Sequence, residues 1–349
     1  MNKEELLDND ILKNIFELPK EWAKALYSIE YCLTKHSIVT ETDNNKRLLK
    51  QNWLQLWEEG IITLYNTIEE DSGFSLIRDD LALQDFLREL NSLSTQKSHL
   101  YMIIIESLFF TPFYELNHFH PKGVKLKYKL DINYLSYLLK EFNIDIQLLK
   151  SFQNRFKKSY MALSGKDKTI LIFALVSGIA IAVTGGMLAP HIALLFAAEG
   201  LSGAAAISSG LAVLGGGAVA IGGSGMLGGI TVLVTAGGIV GVAGGAAVGV
   251  LVANSSELAT FIAAKLEVYF REVLLPILQD PDNAIRIIRG QESFIRSLNE
   301  QLEKSPNITD AEKKAIKVLQ KTIVILQRGL DRNRKALIKY NARIIGNIS

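Results

Sequence analysis

The sequence contains a single cysteine, Cys32, so it can form neither an internal disulfide nor a cysteine-based zinc cluster. It also contains no G-x-S-x-G, no Walker loop and no H-E-x-x-H, the motifs that mark several large enzyme classes. Residues 1–10 are acidic and have no apolar core, so we expect no signal peptide. We therefore predict a protein that is not an enzyme, with no catalytic residue, no metal site and no cofactor.

Charge is almost missing from residues 169–256, which contain one formal charge, Glu199, in 88 positions. The same stretch holds 20 of the 27 glycines in the chain. A membrane-spanning helix takes about 20 apolar residues, so the stretch has room for roughly three to four crossings. The alternative is a hairpin buried inside a protein core. The length of the uncharged run favours contact with lipid in at least one state.

Glycines recur at helical spacing within this stretch. On a helix, glycine at every fourth position leaves one face without side chains, and a second helix can then approach closely. We therefore predict that these faces are assembly surfaces and that the protein self-associates. The glycines of the predicted packing faces are Gly178, Gly186, Gly225, Gly229, Gly237, Gly241, Gly245 and Gly249.

Four further residues interrupt the apolar pattern. Gly185 and Pro190 are expected to kink or break the first helix of the stretch. His191 is a functional candidate, because a titratable side chain inside a membrane segment is costly. We expect Glu199 at a membrane edge, where its charge stays hydrated.

Two weaker patterns carry little chemistry. Glu115, His118 and His120 could ligate a metal, but their spacing fits no standard helical motif and their aromatic neighbours indicate packing. Residues 223–228 match G-x-G-x-x-G. A dinucleotide site also needs an acidic residue about 20 positions later, whereas the next acidic residue is Glu257.

Helical periodicity dominates both flanks of the apolar stretch and predicts an all-α fold. We divide the chain into an acidic helical domain at 1–164, membrane-inserting helices at 165–256 and a basic helical hairpin at 257–349. The alternation of apolar residues and lysines at 124–130 predicts one isolated strand.

Particular helices are predicted from the same periodicity. We expect helices at 76–93 and 100–110, the second being a buried core helix. We expect another at 257–278, bent near Pro276. A last helix, ending near residue 345, should pair in antiparallel fashion with the helix before it.

The two ends of the chain carry opposite charge. Residues 1–100 contain 11 Lys and Arg against 18 Asp and Glu, whereas residues 309–349 contain 10 against 3. The basic final helix is interpreted in three ways: as a solvated face, as a surface that docks on the acidic domain, or as a contact with anionic lipid.

Residues 182–190, with the sequence A-V-T-G-G-M-L-A-P, resemble the membrane segment of a known family. These are the transmembrane and coiled-coil proteins that carry a C-terminal α/β-hydrolase domain. The resemblance covers about a quarter of this chain and implies membrane association. No hydrolase domain follows here, so it implies nothing about catalysis.

These patterns together predict a membrane-acting effector that inserts a glycine-rich hairpin and oligomerises to permeabilise the bilayer. The alternative is a permanent membrane scaffold or channel subunit. The expected partners are lipid, further copies of the chain and a protein bound by the helical flanks, but no nucleic acid. The expected location is the cytoplasmic or inner membrane, with both flanks in the cytoplasm, or a soluble form before activation.

Overall fold

Every regular element that the structure describes is a helix, so the predicted all-α fold is confirmed. The structure is a computed structural model, and the residues it describes are 19–68, 73–93, 97–113, 124, 126–165, 256–304 and 310–346. Among these, the chain forms two compact units: residues 19–150, and residues 151–165 together with 256–346.

The first unit contains five complete helices and the start of a sixth. They are α1 (Lys20–Val39), α2 (Asn44–Ile68), α3 (Asp80–Leu93), α4 (Lys97–Phe109), α5 (Ile132–Leu138) and the first residues of α6 (Ile146–Ser164). A 3₁₀ turn (Lys140–Phe142) lies between α5 and α6. The second unit contains the rest of α6, then α7 (Ser256–Val268), a π-helical turn (Tyr269–Leu274), α8 (Pro281–Lys304) and α9 (Asp310–Gly346).

Helices α1 and α4 form the core of the first unit. α1 packs against α2, α3, α4 and α5, and its side chains are buried on most of its circumference. A helix that is apolar on nearly all sides must be covered on nearly all sides. The core helix predicted at 100–110 is confirmed, because Ile103, Ile104 and Ile105 of α4 are fully buried.

Aspartates begin several of these helices. Asp79 accepts hydrogen bonds from the backbone N–H groups of Leu81 and Ala82, both at 3.0 Å, and so satisfies donors that the first turn leaves open. The predicted helix at 76–93 therefore starts later than expected, at Asp80. The other aspartates that accept from the backbone at a helix start are Asp43, Asp131, Asp145 and Asp280.

The isolated strand predicted at 124–130 is wrong where the structure describes it. Residues 126–130 form neither helix nor strand. A strand is stabilised by hydrogen bonds to a neighbouring strand, and no described residue offers one.

The helix predicted at 257–278 is not continuous. α7 changes at Tyr269 into a π-helical turn, in which the N–H of Leu275 donates to the carbonyl of Phe270, five residues back, at 3.2 Å. Pro276 has no N–H group and cannot continue an α-helix. A bend was expected near Pro276. The structure instead changes from α-helix to π-helix at Tyr269, seven residues earlier.

Helices α8 and α9 pack together, and α9 also packs against α7. α8 has 24 residues and is about 36 Å long. Five residues separate Lys304 from Asp310, and a connection of this length reaches only about 20 Å. Two packed helices joined in this way must run antiparallel, as predicted.

Within the described residues, no helix is long and apolar enough to cross a membrane. The most apolar helices, α4 and α7, have 13 residues each, or about 20 Å, against the roughly 30 Å of a bilayer core. α9 has 37 residues but carries charges throughout. This finding overturns the predicted membrane-permeabilising effector and its channel or scaffold alternative, and it gives no support to the membrane location. Residues 169–255, on which these predictions rested, lie outside the described part of the chain.

Candidate functional site

Arg332 attaches α9 to α7 through a carboxylate that has no exposed surface. Its Nε donates to Glu267 Oε2 at 2.6 Å, and its Nη2 donates to Glu267 Oε1 at 2.7 Å. Two parallel charge-assisted hydrogen bonds define both distance and direction. This contact therefore determines the register of α9 against α7.

The next two residues attach α9 to α8. Asn333 Nδ2 donates to Gln291 Oε1 at 3.1 Å inside the core. Arg334 Nη2 donates to Glu292 Oε1 at 2.7 Å near the surface. Because three successive residues contact two different helices, the middle of α9 is held from two sides.

Gly329 lets the helices approach closely one turn before Arg332. A Cβ atom at this position would lie 3.3 Å from Ala263 Cβ of α7 and 3.9 Å from Leu163 Cδ2 of α6. The first distance is tighter than an ordinary van der Waals contact. The absence of a side chain at Gly329 is therefore what allows α9 to pack this closely against α7.

The packing of α9 ends at Leu337, which is 9% exposed. After Leu337, residues 338–346 are exposed except for the half-buried Tyr340. Nine helical residues extend about 14 Å. We call residues 335–346 the helix end; its first three positions still belong to the packed part.

The helix end is amphipathic. Ile338, Ala342 and Ile345 fall within an arc of about 60° on a helix of 3.6 residues per turn, and Ile338 and Ile345 are each 68% exposed. A row of basic residues borders this apolar strip, and the helix end contains no acidic residue. The basic residues of the row are Lys335, Lys339 and Arg343.

This arrangement is suited to binding another helix. An exposed apolar strip on an amphipathic helix is the usual feature by which one helix lies against another. The basic row would select an acidic surface beside that strip.

None of the predicted site residues lies in the described part of the chain. This holds for the eight glycines of the predicted packing faces, for Gly185 and Pro190, and for His191 and Glu199. Glu115, His118 and His120 also lie outside it. Among the residues that are described, no group of His, Cys, Asp and Glu side chains could hold a metal ion.

Cys32 is buried in α1, and burial, with Asp80 nearby, raises the pKa of its thiol to about 12. A thiol that stays protonated at neutral pH is a poor nucleophile. In this environment Cys32 is a residue of the hydrophobic core.

Sequence reasoning missed the attachment of α9. It treated the basic residues of this helix as one surface, whereas Arg332 and Arg334 pair inside their own unit. The i, i+4 spacing of Glu267 and Arg271 was the one available signal of a charged site on α7. Arg332 lies 65 residues beyond Glu267, so no local pattern connects them.

Comparisons with protein-family models, with curated proteins and with solved structures find no match. The resemblance of residues 182–190 to the hydrolase-bearing membrane family is not tested by any of them and stays a prediction.

Proposed function

We propose that this protein is a non-enzymatic binding protein, and that the helix end of α9 takes an acidic amphipathic helix of a partner protein. The exposed apolar strip at Ile338 and Ile345 carries this proposal. Apolar surface of this kind gains about 25 cal/mol per Å² when a partner covers it.

Charge determines the kind of partner. The row of Lys335, Lys339 and Arg343 gives the helix end three positive charges and no negative one. Two copies of this surface would therefore repel each other along the row, whereas a partner helix with Asp or Glu beside its apolar strip would be attracted. Nucleic acid is a weaker fit, because the strip beside the charges is aliphatic and offers neither stacking side chains nor groups that read bases.

Self-association through the glycine-rich stretch remains a separate prediction. It concerns residues outside the described part of the chain, and the helix end supplies no support for it.

The proposal can be tested by selecting peptides from a displayed library of helix-forming sequences against the full-length protein. We expect the selected peptides to be acidic and amphipathic. They should lose at least tenfold in affinity, about 1.4 kcal/mol, for the double variant Ile338→Asp/Ile345→Asp, because a charge replaces each apolar contact.

Val324→Asp is the matched control. Val324 lies on the packed part of the same helix and is 49% exposed, so the substitution makes the same chemical change away from the helix end. The selected peptides should bind this variant as they bind the unaltered protein. Enrichment of basic peptides, or equal binding to the double variant, would contradict the proposal.

A further inference from the structure

The ion pair between Arg332 and Glu267 belongs to a larger charged group around the π-helical turn. This group contains three arginines and two glutamates, and so carries one net positive charge. We call it the arginine centre. Its members are Arg155 of α6, Glu267 of α7, Arg271 and Glu272 of the turn, and Arg332 of α9.

The two carboxylates of the centre are already engaged. Glu267 receives both hydrogen bonds of Arg332, and Arg271 Nε lies 2.9 Å from its Oε1 atom. Glu272 Oε1 accepts from Arg155 Nε at 2.5 Å. The third guanidinium, that of Arg271, therefore shares Glu267 with Arg332.

Arg271 is the arginine left with incomplete partners. Its Nη2 donates to the carbonyl oxygen of Arg332 at 2.8 Å. Its Nε is buried and, despite the short ionic distance to Glu267, makes no hydrogen bond with the described residues. The carboxylate of Glu267 balances the charge of this guanidinium, but the N–H group at Nε has no well-aligned acceptor.

The electrostatics agree with this geometry. Burial lowers the pKa of Arg271, against the opposing effect of Glu267, and the guanidiniums of Arg332 and Arg155 lower it further. Arg332 and Arg155 thus lie near enough to Arg271 to disfavour its positive charge, an effect that Glu267 and Glu272 oppose. An additional anion beside these guanidiniums would relieve the repulsion.

The backbone contributes as well. Arg271 and Glu272 lie within the π-helical turn, a rare conformation that is often found at functional sites. Arg155 and Arg332 approach from two other helices. Their side chains are each 32% exposed, so this side of the centre borders solvent.

From these observations we infer that the arginine centre binds a phosphate group. Arginine donates in a planar fork that matches the oxygens of phosphate, and a phosphate offers several acceptor oxygens to donors from different helices. Both free phosphate and a phosphate ester share this chemistry. The inference is independent of the helix end, which lies on the far side of Leu337 along α9.

Phosphate binding is measured with the full-length protein by isothermal titration calorimetry, with chloride adjusted to keep ionic strength constant. We expect saturable binding of inorganic phosphate to the unaltered protein. Arg155→Gln should weaken it at least tenfold, because this change removes one guanidinium and leaves the Glu267–Arg332 contact in place. Tighter binding of glycerol 3-phosphate would identify a phosphate ester as the ligand, and equal binding would identify free phosphate.

Two further variants make the test decisive. Arg334→Gln is the matched control, because it removes an arginine of α9 that pairs with Glu292 outside the centre; its affinity for phosphate should stay within twofold of the unaltered protein. Arg155→Lys keeps the charge opposite Glu272 but not the fork, and should fold and bind phosphate more weakly. Heats that do not saturate, or unchanged affinity in both Arg155 variants, would overturn the inference.

Discussion

Glu267 is the residue on which the second unit depends most. It is fully buried, and it faces the guanidiniums of Arg332 and Arg271. Replacing a buried ion pair with apolar groups can be neutral, but removing only one partner leaves a charge without compensation. The stability of the unit should therefore respond strongly to a change at this one carboxylate.

We predict that Glu267→Gln lowers the free energy of unfolding by about 3–5 kcal/mol, the usual cost of breaking a buried pair. The measurement is a urea titration followed by circular dichroism. Glu292→Gln, which breaks the exposed pair with Arg334, should cost no more than about 1 kcal/mol. Equal losses in the two variants would show that Glu267 is solvated in solution.

The position of α9 rests on a close contact with α7 as well as on charge. Gly329 faces Ala263, and a Cβ atom between them would be only 3.3 Å from its neighbour. Glycine is unfavourable in a helix by about 1 kcal/mol relative to alanine. The close packing of two helices offsets that cost here.

Gly329→Leu should push α9 away from α7. We expect a loss of about 1–3 kcal/mol in stability, as is typical of overpacking, even though leucine favours the helical backbone. Thermal unfolding provides the measurement, and Val324→Leu, on the exposed side of the same helix, provides the comparison. If Gly329→Leu raised the melting temperature, the two helices would not be in close contact.

Helices were the part of the fold that the sequence could predict. The dense apolar run of α4, which includes Ile103 and Leu108, predicts a buried helix, and the helical spacing of Leu319, Leu326 and Leu330 predicts the buried face of α9. The start of α3 was misplaced because the hydrophobic residue Leu76 is buried in an irregular segment, and only the cap at Asp79 marks where the helix begins.

The sites were much less predictable. Arg332 meets Glu267 only through the packing of α9 on α7, and the exposure of Ile338 depends on where that packing stops. A helical pattern shows that a residue is apolar, but not whether a neighbour covers it. Both facts depend on tertiary structure that one sequence does not reveal.

At the scale of the whole chain, the positive charge of the final helix is explained in part by ion pairs within its own unit. Arg332 and Arg334 pair with Glu267 and Glu292, and Lys321 lies 3.9 Å from Glu257. Part of the positive charge of the final helix is thus neutralised by acidic residues of its own unit. The basic row at the helix end lies beyond these pairs.

A truncated protein should therefore distinguish the two roles of α9, because its packed part stabilises the unit and its end binds the partner. A chain that stops after Leu337 loses residues 338–349, and each of its pairs at Arg332, Asn333 and Arg334 remains. Exposed residues contribute little to stability, a single surface substitution usually changing it by about 0.5 kcal/mol or less, so the urea midpoint should hardly move. Binding of the selected acidic peptides should disappear, because Ile338 and Ile345 are gone. A large fall in the urea midpoint would mean that the helix end is covered in the native protein and stabilises it from within, and it could not then serve as the docking surface for a partner.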